Sequence, residues 1–192
     1  LGVDPVVLAS SIVMRLQTIV SREIGPSDVA VVTVGSVQAG QKSNIIPDNA
    51  TLLINTRAYD KDVEKKVHAA IERIVKAECV AAGSPKDPEI EYYDVYPLTV
   101  NDDALTAKVR AAFDAFFGED SIDITPQSAS EDFSIIPDEV NTPYAYWGLG
   151  GFADQENAPG NHNPAFAPDL QPTLDRGAEA AVVAASAWLV GE

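Results

Sequence analysis

A β-branched run at residues 29–37 and a second strand-like run at 50–59 sit between two segments of helical period, and that order limits the possible folds more than any other feature. Ahead of them, Asp4-Pro5 opens a helix, because aspartate accepts from free amides and proline at the first helical position gives up no hydrogen bond. Ile12, Val13, Leu16, Ile19 and Val20 recur on one face until Gly25-Pro26 stops the helix. The two runs read as strands joined by a loop at residues 40–47. Asp60 then caps a second helical segment, residues 61–82, in which Val63, Val67, Ile71, Ile74 and Val75 keep the period. Residues 89–96, rich in tyrosine and ending at Pro97, read as a third strand.

Helix, strand, strand, helix, strand is one strand short of a ferredoxin-like unit, which begins with a strand before its first helix. The expectation is an α/β unit over residues 1–97 that starts inside its own domain. After Pro97 the pattern resets, and a second region spans residues 98–192. Asn101, Asp102 and Asp103 offer caps for a helix carrying Leu105, Val109, Phe113 and Phe116, and Gly118 ends it. Residues 121–125 and 144–149 read as strands, the second running into Gly150-Gly151. Residues 152–172 form a proline- and glycine-bearing loop, and loops of that length are usually functional or disordered. An alanine-rich helix follows from Pro172 to about Val190, with small side chains suited to close packing on a sheet.

The balance of charge narrows the partners. Thirteen Lys and Arg against 29 Asp and Glu give a net charge of −16, which argues against nucleic acid and disfavours an anionic membrane surface. Small molecules and proteins remain. No apolar run approaches the roughly 20 residues needed to span a bilayer and no signal peptide is visible, so a cytoplasmic location is expected. Hydrophobic content of 46% supports a real core. Cys79 is the single cysteine, which excludes an intrachain disulfide and a Cys-rich zinc site. It falls in an apolar helical pattern and reads as a buried thiol, not a nucleophile.

Few residues can carry chemistry. His68 lies in the second helical segment with Glu64 and Glu72 four residues to either side, which suggests a solvated helix face. His162 lies in the loop segment Asn161-His162-Asn163-Pro164-Ala165-Phe166, where a neutral imidazole is a good divalent-metal ligand or a loop residue that only hydrogen-bonds. Arg57 is suited to a bidentate clamp on a carboxylate, and Asn44 offers a donor and an acceptor from the loop. The plainer alternatives are an exposed strand arginine and a turn asparagine before Ile45-Ile46-Pro47. Ser130-Glu131-Asp132-Phe133 places two adjacent carboxylates about thirty residues ahead of His162.

The pattern Asn44-Ile45-Ile46-Pro47 followed by Ile54-Asn55-Thr56-Arg57 resembles the lid (dimerisation) domain of the aminoacylase and carboxypeptidase family of co-catalytic metallopeptidases. Ser130-Glu131-Asp132-Phe133, His162-Asn163-Pro164-Ala165-Phe166 and the opening Val3-Asp4-Pro5-Val6 are similar to its amidohydrolase branch. That branch includes N-acyl-amino-acid amidohydrolases, hippurate hydrolases and hydrolases of indole-acetyl-amino-acid conjugates. The resemblance implies a lid domain lacking its first strand at residues 1–97, and the terminal segment of a mixed-sheet catalytic domain at residues 98–192. It implies His162 as a metal ligand, Asn44 and Arg57 as substrate-holding residues, and Glu131 and Asp132 as lining or bracing the site. It further implies two divalent ions, zinc or manganese, per complete site, a small N-acyl amino acid as substrate, and a homodimer formed through the lid. The family's other metal ligands and its general-base glutamate have no counterpart here, so no catalytic residue is assigned and the chain by itself is expected to be inert. A non-catalytic association module is the alternative, and a small-molecule-binding regulatory domain of ferredoxin-like type a weaker one.

Overall fold

Helix α1 (Pro5–Leu16) begins where the Asp4 carboxylate accepts the Val6 amide at 2.8 Å, with proline at its first position. The computed structural model describes residues 2–189. After α1 the chain makes a short π-helical turn, Ile19–Glu23, and enters β1 (Ala30–Ala39). β2 (Ala50–Ala58) returns antiparallel to it. Ala30 lies opposite Ala58 and Ala39 opposite Ala50, with a bulge between Val34 and Ser36. The bulge falls at Gly35, where an extra residue costs least side-chain packing.

Helix α2 (Lys61–Ala81) is nucleated by Asp60, whose side chain accepts the amides of Asp62 and Val63 at 2.8 and 3.0 Å. Its apolar stripe, Val63, Val67, Ala70, Ile71, Ile74 and Val75, is buried against Ile12, Leu16 and Ile19. Val32, Val34, Leu52 and Ile54 pack on this core from the sheet. Alternation along β2 therefore turns Leu52 and Ile54 inward and Leu53, Asn55 and Arg57 outward. One face of the ribbon carries the helices and the other is open. Cys79 is buried in α2, and burial raises its thiol pKa, as expected of a packing residue.

The chain divides into two units. The first comprises the described residues through Leu98 together with Ser128–Ser130, and the second comprises Thr99–Gln127 and the described residues from Glu131 onward. In the second, α3 (Asp103–Phe117) is capped by Asp102, which accepts the Leu105 amide at 2.9 Å, and stops at Gly118 with φ 59°. A single 3₁₀ turn follows, Gly118–Asp120, and α4 (Ile135–Glu139) is short. α5 (Leu170–Leu189) has extended backbone at Gln171, so its regular turns begin at Pro172. Val190, expected near its end, lies outside the described residues. Val109 of α3 and Ala180, Val183 and Ala184 of α5 are buried. A Cβ on Gly177 would meet Leu149 Cδ2 at 3.1 Å, so glycine there permits the close approach of α5 to the 144–149 segment.

Three expected strands do not form. Residues 89–96 are irregular, with Asp94 at φ 50°, and among the described residues β1 and β2 are the strands that pair. In a ferredoxin-like unit the strand after the second helix pairs with the strand before the first, and residues 2–189 contain none there. Residues 89–96 are held by side chains: Ile90 packs on the core, and Tyr92 tilts over the His68 ring at 4.7 Å. Residues 121–125 are tied to α3 by Arg110, which pairs with Asp123 and reaches the Ser121 carbonyl. Residues 144–149 meet an amide side chain where a neighbouring strand would run. Asn101 accepts from the Tyr146 amide at 2.7 Å and donates to its carbonyl at 2.8 Å.

Candidate functional site

His68 departs from expectation. It is half-buried, with Nε2 3.3 Å from Thr56 Oγ1 on the inward face of β2 and Tyr92 against its ring. Tyr92 in turn donates to Glu72 at 3.4 Å. The glutamates around His68 suggest solvent, but the covering tyrosine comes from a segment twenty-four residues further along the chain, beyond the reach of helical periodicity.

Arg57 occupies the open face near the end of β2, opposite Val31. Its Nε donates to Asn55 Oδ1 at 3.2 Å and its Nη1 donates to the Ser128 carbonyl. Among the described residues no carboxylate forms an ion pair with it, whereas Arg15 and Arg73 each have one and Arg110 and Arg176 each have two. Asn44 is exposed in the loop between the strands, and Gly40 opens that loop at φ 66°. The register separates the two residues. Arg57 lies seven positions along β2 from Ala50, roughly 23 Å of strand from the base of the Asn44 loop.

Glu131 and Asp132 differ in environment. Glu131 Oε1 accepts the amides of Asp132 and Phe133 at 2.9 and 3.1 Å, and Oε2 accepts the Tyr146 hydroxyl at 2.9 Å. The Tyr146 hydroxyl and then these two amides hold the Glu131 carboxyl below the ordinary glutamate range. The Tyr146 hydroxyl is correspondingly pushed up, first by its bond to Glu131. Asp132 is exposed.

His162 is exposed at a turn in which it adopts φ 66°. This left-handed conformation is uncommon outside glycine, with histidine and asparagine among the residues that tolerate it best. The turn is closed by Asn163, whose amide donates to the Gly160 carbonyl and whose Oδ1 accepts the Ala165 amide at 2.8 Å. Phe166 then anchors edge-on to Phe152 at 5.3 Å.

Residues 4–186 match the peptidase family M20/M25/M40. That span is nearly the whole chain. The chain belongs to this family. Within it, similarity points to the amidohydrolase branch. The chain is 32% identical over 189 residues to N-acetyl-L-cysteine deacetylase of Bacillus subtilis, covering 98% of this chain and 41% of that protein. It is 33% identical over 165 residues to hippurate hydrolase of Campylobacter jejuni, covering 85% of this chain and 41% of the relative. The crystal structure of the Bacillus subtilis YXEP protein, a dinuclear metal-binding peptidase of the M20 family, superposes with a TM-score of 0.67 at 25% identity. That likeness covers 97% of this chain and 45% of the other. The M20 chain thus spans about two fifths of the length of the curated relatives it matches.

The residues present do not make up a metal centre. Among the described residues no group of three or more His, Cys, Asp or Glu side chains is arranged to hold an ion. A catalytic zinc site takes three protein ligands with one position open, so His162 contributes at most one donor to such a site. Neither Tyr146 nor Asn101 stands out in the sequence of this M20 chain. The only available signal was a tyrosine in an apolar run and an asparagine beside a helix cap, neither of which names a partner.

Proposed function

We propose that these 192 residues are part of a metal-dependent amidohydrolase that hydrolyses the amide bond of N-acyl amino acids or related small conjugates, and that the chain by itself is inactive. The observation that carries this reading is Arg57: a guanidinium on an open sheet face, bonded to neutral oxygens, in a chain with a net charge of −16. Unpaired by acid, it is a ready partner for the free carboxylate of an amino acid. The first unit supplies the lid of the complete enzyme and the second the terminal part of its catalytic domain. His162 is one ligand to a pair of divalent ions, zinc or manganese, whose remaining ligands would come from other parts of the complete protein. The described residues hold too few donors to place those ions by themselves.

Arg57 and Asn44 are both read as substrate-holding residues, and a small N-acyl amino acid meets both only if the Asn44 loop reaches back along the ribbon toward Arg57. Arg57 reads the carboxylate, and Asn44 touches another part of the ligand. In the complete enzyme, Arg57→Lys should lower kcat/KM roughly ten- to hundredfold on substrates with a free α-carboxylate and little on the matching amides, because an ammonium cannot reproduce the planar fork. Asn44→Ala should lower activity equally on both. A loss of thermal stability with unchanged acid-over-amide preference in Arg57→Lys would remove the main support for the substrate class. The open edges of the β1–β2 ribbon fit self-association of the lid into a homodimer. Sedimentation should show a dimer at high concentration, and a clean monomer would count against it.

A further inference from the structure

The two adjacent acids of the Ser130-Glu131-Asp132-Phe133 motif interact with each other but differ in setting, Glu131 tied to further partners and Asp132 exposed. A carboxylate has about four lone-pair positions, and three of those on Glu131 already accept a phenol and two amides. To bind a cation or a substrate, Glu131 would have to release the turn it closes. Its chief partner is held just as firmly. The Tyr146 backbone is bonded on both sides to the Asn101 amide, and its ring lies 4.8 Å from Phe133. Phe133 also meets Tyr144 at 5.6 Å, edge to face. Tyr144 is fixed in turn: its hydroxyl accepts the Val100 amide at 2.8 Å and its carbonyl accepts the Asp102 amide at 2.8 Å. The turn continues directly into α4 through the Ile135 amide, which donates to the Asp132 carbonyl at 3.1 Å.

We propose that Glu131 is a positioning residue, supported by Tyr146 and Asn101, and that its carboxylate holds the turn which presents Asp132 as the motif's reactive-site acid. This assignment rests on the amidohydrolase reading for its catalytic consequence, but the latch itself is a property of the 192-residue chain. The substitution that separates the two roles is Glu131→Gln. A glutamine keeps an oxygen for the two amides, and its NH₂ can donate to a rotated Tyr146 hydroxyl, so the latch survives without the charge. A residue that acts as a charged ligand gains nothing from that exchange.

Two measurements test the proposal. In the 192-residue chain, the amide resonances of Asp132 and Phe133 should shift strongly in Glu131→Ala and Tyr146→Phe and stay close to wild type in Glu131→Gln. In the complete enzyme, Glu131→Ala and Tyr146→Phe should lower kcat about tenfold or more with KM nearly unchanged, as expected of misplaced chemistry. Glu131→Gln should recover most of that loss, and Asp132→Asn should not. Equal loss in Glu131→Gln and Glu131→Ala would show that Glu131 acts directly through its charge and would overturn the proposal. Unmoved amide resonances in Tyr146→Phe would overturn it as well. If the wild-type complete protein hydrolyses no N-acyl amino acid, the amidohydrolase reading fails, and the resonances still decide whether the latch exists.

Discussion

Glu131 carries a dependence on pH whose sign follows from its bonds. Its carboxyl sits below the ordinary glutamate range in the folded chain, chiefly through the Tyr146 hydroxyl. Its contribution to stability is therefore complete above that range, and it is lost as pH falls through the depressed folded value. The stability gap between wild type and Glu131→Gln, measured by urea unfolding, should be constant near neutrality and shrink in that acid window. A gap independent of pH would show that the carboxylate is no better solvated folded than unfolded. At this scale the sequence was informative for residues that act alone and weak for those that act in pairs. Arg57, His162 and the two acids stand out as candidates by residue type alone. Tyr146 meets Asn101 forty-five positions away and Glu131 fifteen positions away, and no local pattern encodes those pairings.

Elements with local causes were legible. Asp4-Pro5, Asp60 and Asp102 each begin a helix through the side-chain bond that their position suggests. Asp60 caps the helix that supplies most of the first core, so Asp60→Ala should lower stability by about 1 kcal/mol. A shift in the urea midpoint without a change in its slope would check this, and an unshifted midpoint would show that the cap is dispensable. The strands at 89–96, 121–125 and 144–149 failed for one physical reason. A strand is stabilised by its neighbour, and alternating or β-branched residues predict the willingness to pair without supplying the partner. β1 and β2 succeeded because the loop between them brings each its partner.

For the whole molecule, the described residues through Leu98 together with Ser128–Ser130 form one unit, and the return of 128–130 to it has no signal in helical or strand periodicity. The part proposed for those units in an amidohydrolase rests on resemblance and not on local helix and strand signals. On the proposed reading His162 contributes a single imidazole to an ion, and one imidazole should not retain it. After dialysis, elemental analysis should find no stoichiometric zinc or manganese, and about one ion per chain would contradict the proposed incompleteness of the site. The tyrosine-rich segment at 89–96 has a different consequence. Among the described residues, none of its amides donates to a backbone carbonyl, and Tyr92 and Ile90 hold it by their side chains. Its amide protons therefore exchange with solvent on the timescale of local fluctuation, while those of α2, under the same tyrosine, wait for the unit to unfold.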